Sequence, residues 1–265
     1  MNNLKICFIS SSLGHQQVSN IFWGLTNLSQ HRGFKLEPYF HDGVEAREQA
    51  LCNKILSQNY DFIISLFPIN EENYSILPQK SILFIGNKEE YNGNNIILDI
   101  HGGLESILDY YLQNQIFNIA FIGVKAGCPH CVKDHFIKHY INRLNITEER
   151  YFLTTCFGEV TRTIESLREQ EVEAIIFSSP RLLLHSLKHE ENSELNLSND
   201  FKVASLGWMR EFDLFKGEII GFEFIKSEII NSIEKFINGN FNPEIDGKIS
   251  GKLMKNEQWT MDNEQ

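Results

Sequence analysis

Four residues near the middle of the chain have the types and the spacing of a metal site. They form the pattern C-x2-C-x3-H-x3-H and are Cys128, Cys131, His135 and His139. Two thiolates and two imidazoles suit tetrahedral zinc. On one helix, Cys131 and His139 would lie about 12 Å apart along the axis, so three of the four residues would share an ion more easily than all four. Zinc is one interpretation of this segment, and a solvated helix face with incidental histidines is the other.

The CPHC part of the same segment also has the spacing of a redox-active dithiol. It begins a predicted helix after a strand, and a helix N-terminus lowers the pKa of a thiol. The rest of the chain is too long and wrongly ordered for a thioredoxin core. No glycine-rich phosphate loop, G-x-S-x-G motif or paired acidic motif is present. The sequence therefore favours a binding protein without a cofactor over an enzyme, and Cys7, Cys52 and Cys156 are interpreted as packing residues.

Composition and charge exclude several classes of protein. The chain has 265 residues, 42% of them hydrophobic, which is enough for one large domain or two lobes. Its net charge of -11 and the lack of a basic run make the chain alone a poor ligand for nucleic acid. No apolar stretch is long enough for a membrane span, and the first residues read as a strand and not as a signal peptide. Five cysteines argue against a disulfide framework. We expect a cytoplasmic protein with no membrane partner.

Strand and helix patterns alternate along the whole chain, which predicts parallel sheets covered on both faces. Predicted helices follow most strands, at about 18–28, 44–58, 103–113, 129–144, 159–170, 181–189 and 227–238. The predicted strands are 5–10, 35–40, 61–66, 81–85, 95–98, 118–123, 151–155, 173–177, 202–206, 219–224 and, weakly, 248–253. Two such sheets follow one another, so the predicted fold is α/β with two doubly wound, Rossmann-like lobes.

Several segments, in order, resemble the lactose-repressor family of transcription regulators, which has the type I periplasmic-binding-protein fold. The segments are KICFISSSLGHQQVSNIFWGLTNLSQHRGFKL, EAREQALCNKILSQNYDFIISL, ILDIHGGLESILDYYLQNQIFNIAFIG, FKVASLGWM and IIGFEFIKSEIINSIEKFINGNFNP. They cover nearly the whole chain, with Asp99 and Gly103 in family positions. No single match is diagnostic, but their collinearity is fairly specific.

The resemblance implies a ligand cleft between the lobes and a homodimer. The first lobe would comprise residues 1–99 and about 225–247, and the second residues 100–224 and about 248–265. A small-molecule effector would shift an equilibrium between open and closed forms, with no catalysis. The residues expected to contact this ligand follow strand ends or occupy family positions. They are Ser11, Gln16, Gln17, Asp99, Lys133, Phe177, Arg181, Trp208 and Arg210.

Departures from the family pattern bear on the ligand. The usual pair of sugar-contacting residues is replaced by Pro180 and Arg181, and the acidic residue of another strand end by Met209, followed by Arg210. Lys133 is the nearest match to a family arginine. These changes favour an anionic ligand over a neutral sugar, unless Arg210 pairs internally with a neighbouring carboxylate.

The family's DNA-binding headpiece is not found before the first strand, so the family's DNA contact would require a headpiece that this sequence does not show. Three accounts stay open: an effector domain of a longer regulator, a headless paralogue, or a cytoplasmic solute-binding protein.

Overall fold

The computed structural model describes residues 4–13, 16–87, 91, 93–124, 136, 151–154, 157–189 and 197–256. Internal contacts divide the chain into two compact units. Unit 1 comprises Met1–Asp99 and Ile225–Ser250, and unit 2 comprises Ile100–Phe224 and Gly251–Gln265. Each unit is built around one sheet, and the chain enters each unit twice.

Unit 1 contains a sheet of six described strands in the order β11-β5-β4-β3-β1-β2. All of its strand pairs are parallel. The strands are β1 (Lys5–Ser10), β2 (Lys35–Phe40), β3 (Phe62–Leu66), β4 (Ile82–Gly86), β5 (Asn94–Leu98) and β11 (Lys248–Ile249). The helices are α1 (Gln16–Arg32), α2 (Glu45–Leu56), α7 (Lys226–Ile237) and α8 (Pro243–Asp246), with 3-10 turns at Glu71–Tyr74 and Gln79–Ser81.

Alternating side chains of β1 explain why helices cover both faces of this sheet. Cys7 and Ile9 point into a core cluster that includes Cys52 and Ile55 of α2. Phe8 points the other way, with its ring centroid 5.6 Å from that of Phe22 on α1. Every residue from Ile6 to Ser10 is buried, so β1 is covered on both faces although it lies next to the edge strand β2.

Unit 2 contains a second sheet of six described strands, in the order β12-β10-β9-β8-β6-β7. All pairs are parallel except that of β10 with β12. The strands are β6 (Ile119–Val124), β7 (Tyr151–Thr154), β8 (Ala174–Phe177), β9 (Lys202–Ser205), β10 (Ile219–Phe224) and β12 (Gly251–Lys255). The helices are α3 (Ile100–Gln113), α4 (Phe157–Glu169), α5 (Pro180–His189) and α6 (Leu197–Asp200), with a 3-10 turn at Arg210–Leu214.

Two apolar clusters lie on opposite faces of the second sheet. One joins α3 to the sheet through Leu104 and Ile107, and the other joins α4 and α5 through Ile164 and Leu183. The predicted α/β class with two doubly wound sheets is therefore confirmed. Among the described residues, no helix combines the length and the apolar character that a membrane crossing requires.

The weak strand predicted at 248–253 is two strands in different sheets. Lys248 and Ile249 pair with β5 in unit 1, whereas Gly251–Lys255 pairs with β10 in unit 2. A side chain at Gly251 would meet the carbonyl oxygen of Glu223 at 2.4 Å, so glycine permits the close approach of β12 to β10. The chain consequently enters unit 2 at residue 251 and not near 248. The helix predicted at 129–144 lies outside the described residues, apart from Phe136.

Asn256 closes unit 2 at the end of β12. Its Oδ1 accepts a hydrogen bond from the backbone N–H of Ile219 at 2.9 Å. Its Nδ2 is within hydrogen-bond distance of the carbonyl oxygens of Phe212, Phe215 and Gly217. One buried amide thus fastens the 3-10 turn and the start of β10 to the last described strand.

We predict that Asn256→Ala lowers the free energy of unfolding by about 1–3 kcal/mol, because it leaves buried backbone groups without partners. Chemical denaturation followed by circular dichroism would measure the change. Lys252→Ala, at an exposed position on the same strand, is the matched control and should change stability by less than about 0.5 kcal/mol. Equal stability of the two variants would contradict the role given to Asn256.

Candidate ligand-binding site

The carboxyl ends of β1, β2 and β3 meet at one edge of the first sheet, where the chain forms three consecutive loops. The backbone N–H groups of His41 and Asp42 donate to the carbonyl oxygens of Ser10 and Ser11 at 3.0 and 2.8 Å. The N–H of Phe67 donates to the carbonyl oxygen of Ile85 at 2.7 Å. The first two bonds join the loop after β2 to the end of β1, and the third joins the loop after β3 to β4, at the edge where parallel α/β sheets bind their ligands.

Several buried polar atoms beside this edge have no hydrogen-bond partner in the described part of the chain. They are Ser10 Oγ at the end of β1, Gln16 Oε1 and Gln17 Nε2 at the start of α1, and Asn87 Oδ1 just after β4. Buried polar groups in folded proteins are hydrogen-bonded in the great majority of cases. Neutral donors and acceptors gathered in this way indicate a place where an external polar molecule binds. Ser11, also predicted as a contact, lies between Ser10 and α1 and is half-buried.

A buried carboxylate, that of Glu48 on α2, organises the loop after β3. Its Oε1 accepts hydrogen bonds from the N–H of Ile69 and the hydroxyl of Tyr74 at 2.9 and 3.0 Å. Its Oε2 accepts from the N–H of Asn70 and the side-chain amide of Asn73, both at 2.9 Å. Since Glu48 has no exposed surface, these four donors replace the water that a carboxylate ordinarily binds.

Two residues of these loops have backbone angles that ordinary side chains rarely adopt. Asp42 has φ of 53° and Phe67 has φ of 55°. Each follows the end of a strand, β2 or β3, and neither is a glycine. Such angles persist where the surrounding contacts enforce them, and they are concentrated at ligand sites and switch regions. Here the enforcing contacts are the backbone bonds of the edge and the hydrogen bonds of Glu48.

His41 is buried between the two strained loops, with a side chain that is 1% exposed. Its Nδ1 accepts a hydrogen bond from the N–H of Gly43 at 3.2 Å, and its Nε2 is 3.9 Å from Glu48 Oε1. Burial lowers the pKa of His41, and this effect exceeds the opposing attraction of the Glu48 and Asp42 carboxylates. His41 is therefore neutral in the folded protein at neutral pH.

The loops after β8 and β9 meet at the carboxyl edge of the second sheet. A side chain at Gly207 would come within 2.8 Å of the Pro180 ring, so the loop after β9 touches the start of α5. Gly207 also has φ of 143°, which favours glycine. Arg181 and Arg210, which flank this contact, are exposed and form no ion pair with a described residue. The predicted alternative, pairing of Arg210 with Glu211 or Asp213, is not seen.

Three predicted contact residues have packing or structural roles in the structure. Phe177 is wholly buried in the apolar core of unit 2. Trp208 packs edge-on against Phe212, with ring centroids 5.4 Å apart. Asp99 forms an ion pair with Lys248 at 3.0 Å and thereby joins β5 to β11. The Phe177 ring has no surface to offer a ligand, whereas Trp208 is half-buried and its contact with a ligand stays a prediction.

The predicted metal or redox segment lies outside the described residues, as do Lys133 and Cys156. Within the described part of the chain, no group of three or more His, Cys, Asp or Glu side chains could hold a metal ion. Cys7 and Cys52 are buried free thiols in the core, as predicted. Burial, reinforced by the Glu48 carboxylate, raises the pKa of Cys52 to about 12, which makes its thiol a poor nucleophile.

Sequence reasoning missed the cluster of His41, Glu48 and Tyr74. One signal could have found it: Glu48 shares a helix face with Cys52 and Ile55, which are core residues. An acidic residue on the buried face of a helix requires partners, and the loop after the next strand is within reach. The histidine carried a weaker signal, since it directly follows a strand.

We predict that Glu48→Ala lowers the free energy of unfolding by at least about 2 kcal/mol, because two backbone N–H groups, an amide and a hydroxyl lose their acceptor. Denaturant titration would measure the loss. Gln49→Ala, at an exposed position on the same helix, serves as the control and should have little effect. A loss no greater than that of the control would contradict the clamp assigned to Glu48.

Comparisons with protein families and with curated proteins find no match to this sequence. Solved structures do match. The transcription regulator CcpA of Lactococcus lactis has a TM-score of 0.77 at 11% identity, over 97% of this chain and 100% of that chain. A putative ribose operon repressor from Burkholderia thailandensis has a TM-score of 0.77 at 14% identity, over 94% of this chain and 98% of that chain.

A LacI family transcriptional regulator from Lactobacillus casei, solved with bound glucose, has a TM-score of 0.75 at 10% identity over 96% of this chain and 98% of that chain. Identities this low establish the fold and leave the function to be argued from the site. The chain is thus similar in fold, over nearly its whole length, to LacI-type transcription regulators, which confirms the likeness inferred from its motifs.

Proposed function

We propose that the chain is the small-molecule-sensing, effector-binding part of a LacI-type transcription regulator and catalyses no reaction. The observation that carries this proposal is the set of neutral, unpartnered polar atoms at the carboxyl edge of the first sheet. Ser10, Gln16, Gln17 and Asn87 offer hydroxyl and amide groups, which suit the hydroxyls of a small polar molecule. No chemistry of bond breaking is required of them.

Solved proteins of the same fold support this assignment. The Lactobacillus casei regulator was solved with glucose and also with sucrose, and its similarity spans almost the entire chain. The fold therefore accommodates polyhydroxyl molecules in at least one protein. For this chain, the proposal that it binds such a molecule rests on the residues at the carboxyl edge of its own first sheet. We also propose a cytoplasmic location, as expected for such a regulator.

The preferred ligand is proposed to be anionic. Arg181 and Arg210 lie on either side of the contact between Gly207 and Pro180, and no described carboxylate neutralises either one. Guanidinium groups bind carboxylate and phosphate oxygens through paired hydrogen bonds. A sugar phosphate or a polyhydroxy acid carries oxygens of this kind. Lys133 would add a third positive charge if it lies where the resemblance implies.

We predict that sugar phosphates and organic acids raise the melting temperature more than the corresponding free sugars. Arg181→Ala should abolish this gain, because a charged hydrogen bond to an anion contributes about 1.5–3 kcal/mol, or at least about tenfold in Kd. Gln17→Ala should weaken binding of charged and neutral compounds alike. A thermal-shift screen followed by calorimetry would measure both effects.

Arg162→Ala is the matched control for this screen, since Arg162 is an exposed arginine on α4, outside the two segments that contain Arg181 and Arg210. It should bind anions as the parent protein does. Strongest stabilisation by neutral pentoses or hexoses would contradict the anionic ligand and leave the sensor function in place. The sensor function would be contradicted if no small molecule bound and if Gln17→Ala left the melting temperature unchanged with every compound.

We further propose a homodimer, as the resemblance implies. The described surface of unit 1 exposes large apolar side chains, among them Trp23, which is 56% exposed, and Leu56, which is 52% exposed. Burial of such groups favours association. Light scattering at tens of micromolar protein should give twice the chain mass of 30.7 kDa. A mass equal to one chain under these conditions would contradict the dimer.

A further inference from the structure

We propose that His41 is a pH-sensitive lock on the two strained loops at the carboxyl edge of the first sheet. Protonation of its ring would release the turn 41–44 and, through Glu48, the segment 67–70. The two loops follow β2 and β3, and each contains a non-glycine residue with positive φ, Asp42 or Phe67. The lock itself follows from the geometry of unit 1, and only its consequence for ligand binding rests on the proposed function.

The hydrogen bond to His41 Nδ1 defines which form of the ring fits the turn. Nδ1 accepts from the N–H of Gly43 at 3.2 Å, so it carries no proton, and the neutral ring has its proton on Nε2. A second proton would have to be placed on Nδ1. Two donors would then face each other, and the turn would lose its side-chain bond and keep only its backbone bond from the N–H of Val44 to the carbonyl oxygen of His41 at 2.9 Å. The turn is therefore compatible with the neutral ring only.

The charged groups around His41 do not reverse this preference. Glu48 of α2 faces Nε2, with its Oε1 3.9 Å away, beyond hydrogen-bond distance. Asp42, the next residue, forms an ion pair with Arg47 at 2.6 Å, so its electrostatic attraction for a proton on the His41 ring is reduced. From the segment after β3, Tyr74 donates its hydroxyl to Glu48, and from β1 the uncharged Ser10 accepts from the N–H of His41 through its carbonyl oxygen. Burial outweighs the attraction of both carboxylates and lowers the pKa of His41.

The turn and the segment are mechanically joined through α2. The carbonyl oxygen of Val44 accepts from the N–H groups of Arg47 and Glu48 at 3.0 and 3.1 Å, so the turn 41–44 leads directly into the first turn of the helix. The Glu48 carboxylate in turn holds the N–H groups of Ile69 and Asn70. If the turn opens, the start of α2 loses its anchor and Glu48 loses its hold on the segment.

The direction of the pH effect follows from this arrangement. In the locked form His41 stays neutral, whereas in the opened form it takes up a proton near the ordinary histidine pKa of 6.5. The lock is therefore complete above that pH and weakens as the pH falls below it. For a histidine that titrates normally once released, the opened population rises by at most about tenfold between pH 7.5 and pH 5.5. A ligand at this edge would then bind less tightly in acid.

Hydrogen–deuterium exchange of the intact protein tests the lock without any ligand. Protection of peptides covering 41–48 and 67–74 would be measured at about pH 7.5 and about pH 5.5 and corrected for the intrinsic pH dependence of exchange. We expect these peptides to lose more protection in acid than peptides from α7, the reference helix of the same unit, by up to about tenfold.

Two variants separate the lock from general acid sensitivity. His41→Asn places an amide oxygen near the position of Nδ1, keeps an acceptor for Gly43 and cannot be protonated in this range, so the pH dependence should disappear. His31→Asn, at an exposed position near the end of α1, should keep it. Equal loss of protection in the two variants would overturn the lock.

Should His41→Asn fail to fold, the parent protein alone decides, because an unchanged difference between 67–74 and α7 at the two pH values would also overturn the proposal. Failure of the lock would leave the ligand screen unaffected. Conversely, a protein that binds no small molecule could still show the lock.

Discussion

The buried Glu48 carboxylate is the interaction on which the carboxyl edge of the first sheet depends. Removing a carboxylate from water is costly unless hydrogen bonds replace the lost hydration. Glu48 receives them from two backbone N–H groups, an amide and a hydroxyl, all of which belong to residues 69–74. A loop that would otherwise leave the sheet is thereby fixed against α2, and the ends of β2 and β3 are fixed relative to each other.

The carboxyl edges of the two sheets differ in chemistry. The first sheet offers hydroxyl and amide groups with unpartnered atoms, such as Ser10 Oγ and Gln17 Nε2, and its acidic residue Asp99 is neutralised by Lys248. The second offers Arg181 and Arg210 with no described counter-charge. Neutral groups discriminate by hydrogen-bond geometry, whereas guanidinium groups select charge. The uncompensated charge of Arg181 and Arg210 is why an anion is the ligand that we propose.

Hydrophobic periodicity was sufficient to predict most of the fold, because buried strands and amphipathic helices repeat along the sequence. The bounds of β1, β2 and β10 agree with the prediction to the residue. The division of 248–255 into two strands was not predictable in this way, since Lys248 and Gly251 belong to one short run and only tertiary pairing assigns them to different sheets.

Site residues were less predictable, because hydrogen-bond partners that are far apart in the chain produce no periodic pattern in the sequence. Gln16 and Gln17 were found through resemblance to a family position. Glu48 and Tyr74, which are 26 residues apart and bonded to each other, were not. Phe177 and Trp208 were assigned to the ligand because they stand near strand ends. A strand end fixes where a residue lies and leaves open whether its side chain faces the core or the edge.

A sensor needs an element whose two states differ little in free energy, because a ligand shifts an equilibrium only by its differential affinity. The loops after β2 and β3 have this property. Each holds a residue in a strained backbone conformation that costs on the order of 1–3 kcal/mol, opposed by the hydrogen bonds of Glu48 and of the His41 ring. The balance of these opposing contributions keeps the loops closed. A molecule that bonds to Ser10 or Gln17 only when the loops are closed adds to this balance, and so does the loss of a proton from His41.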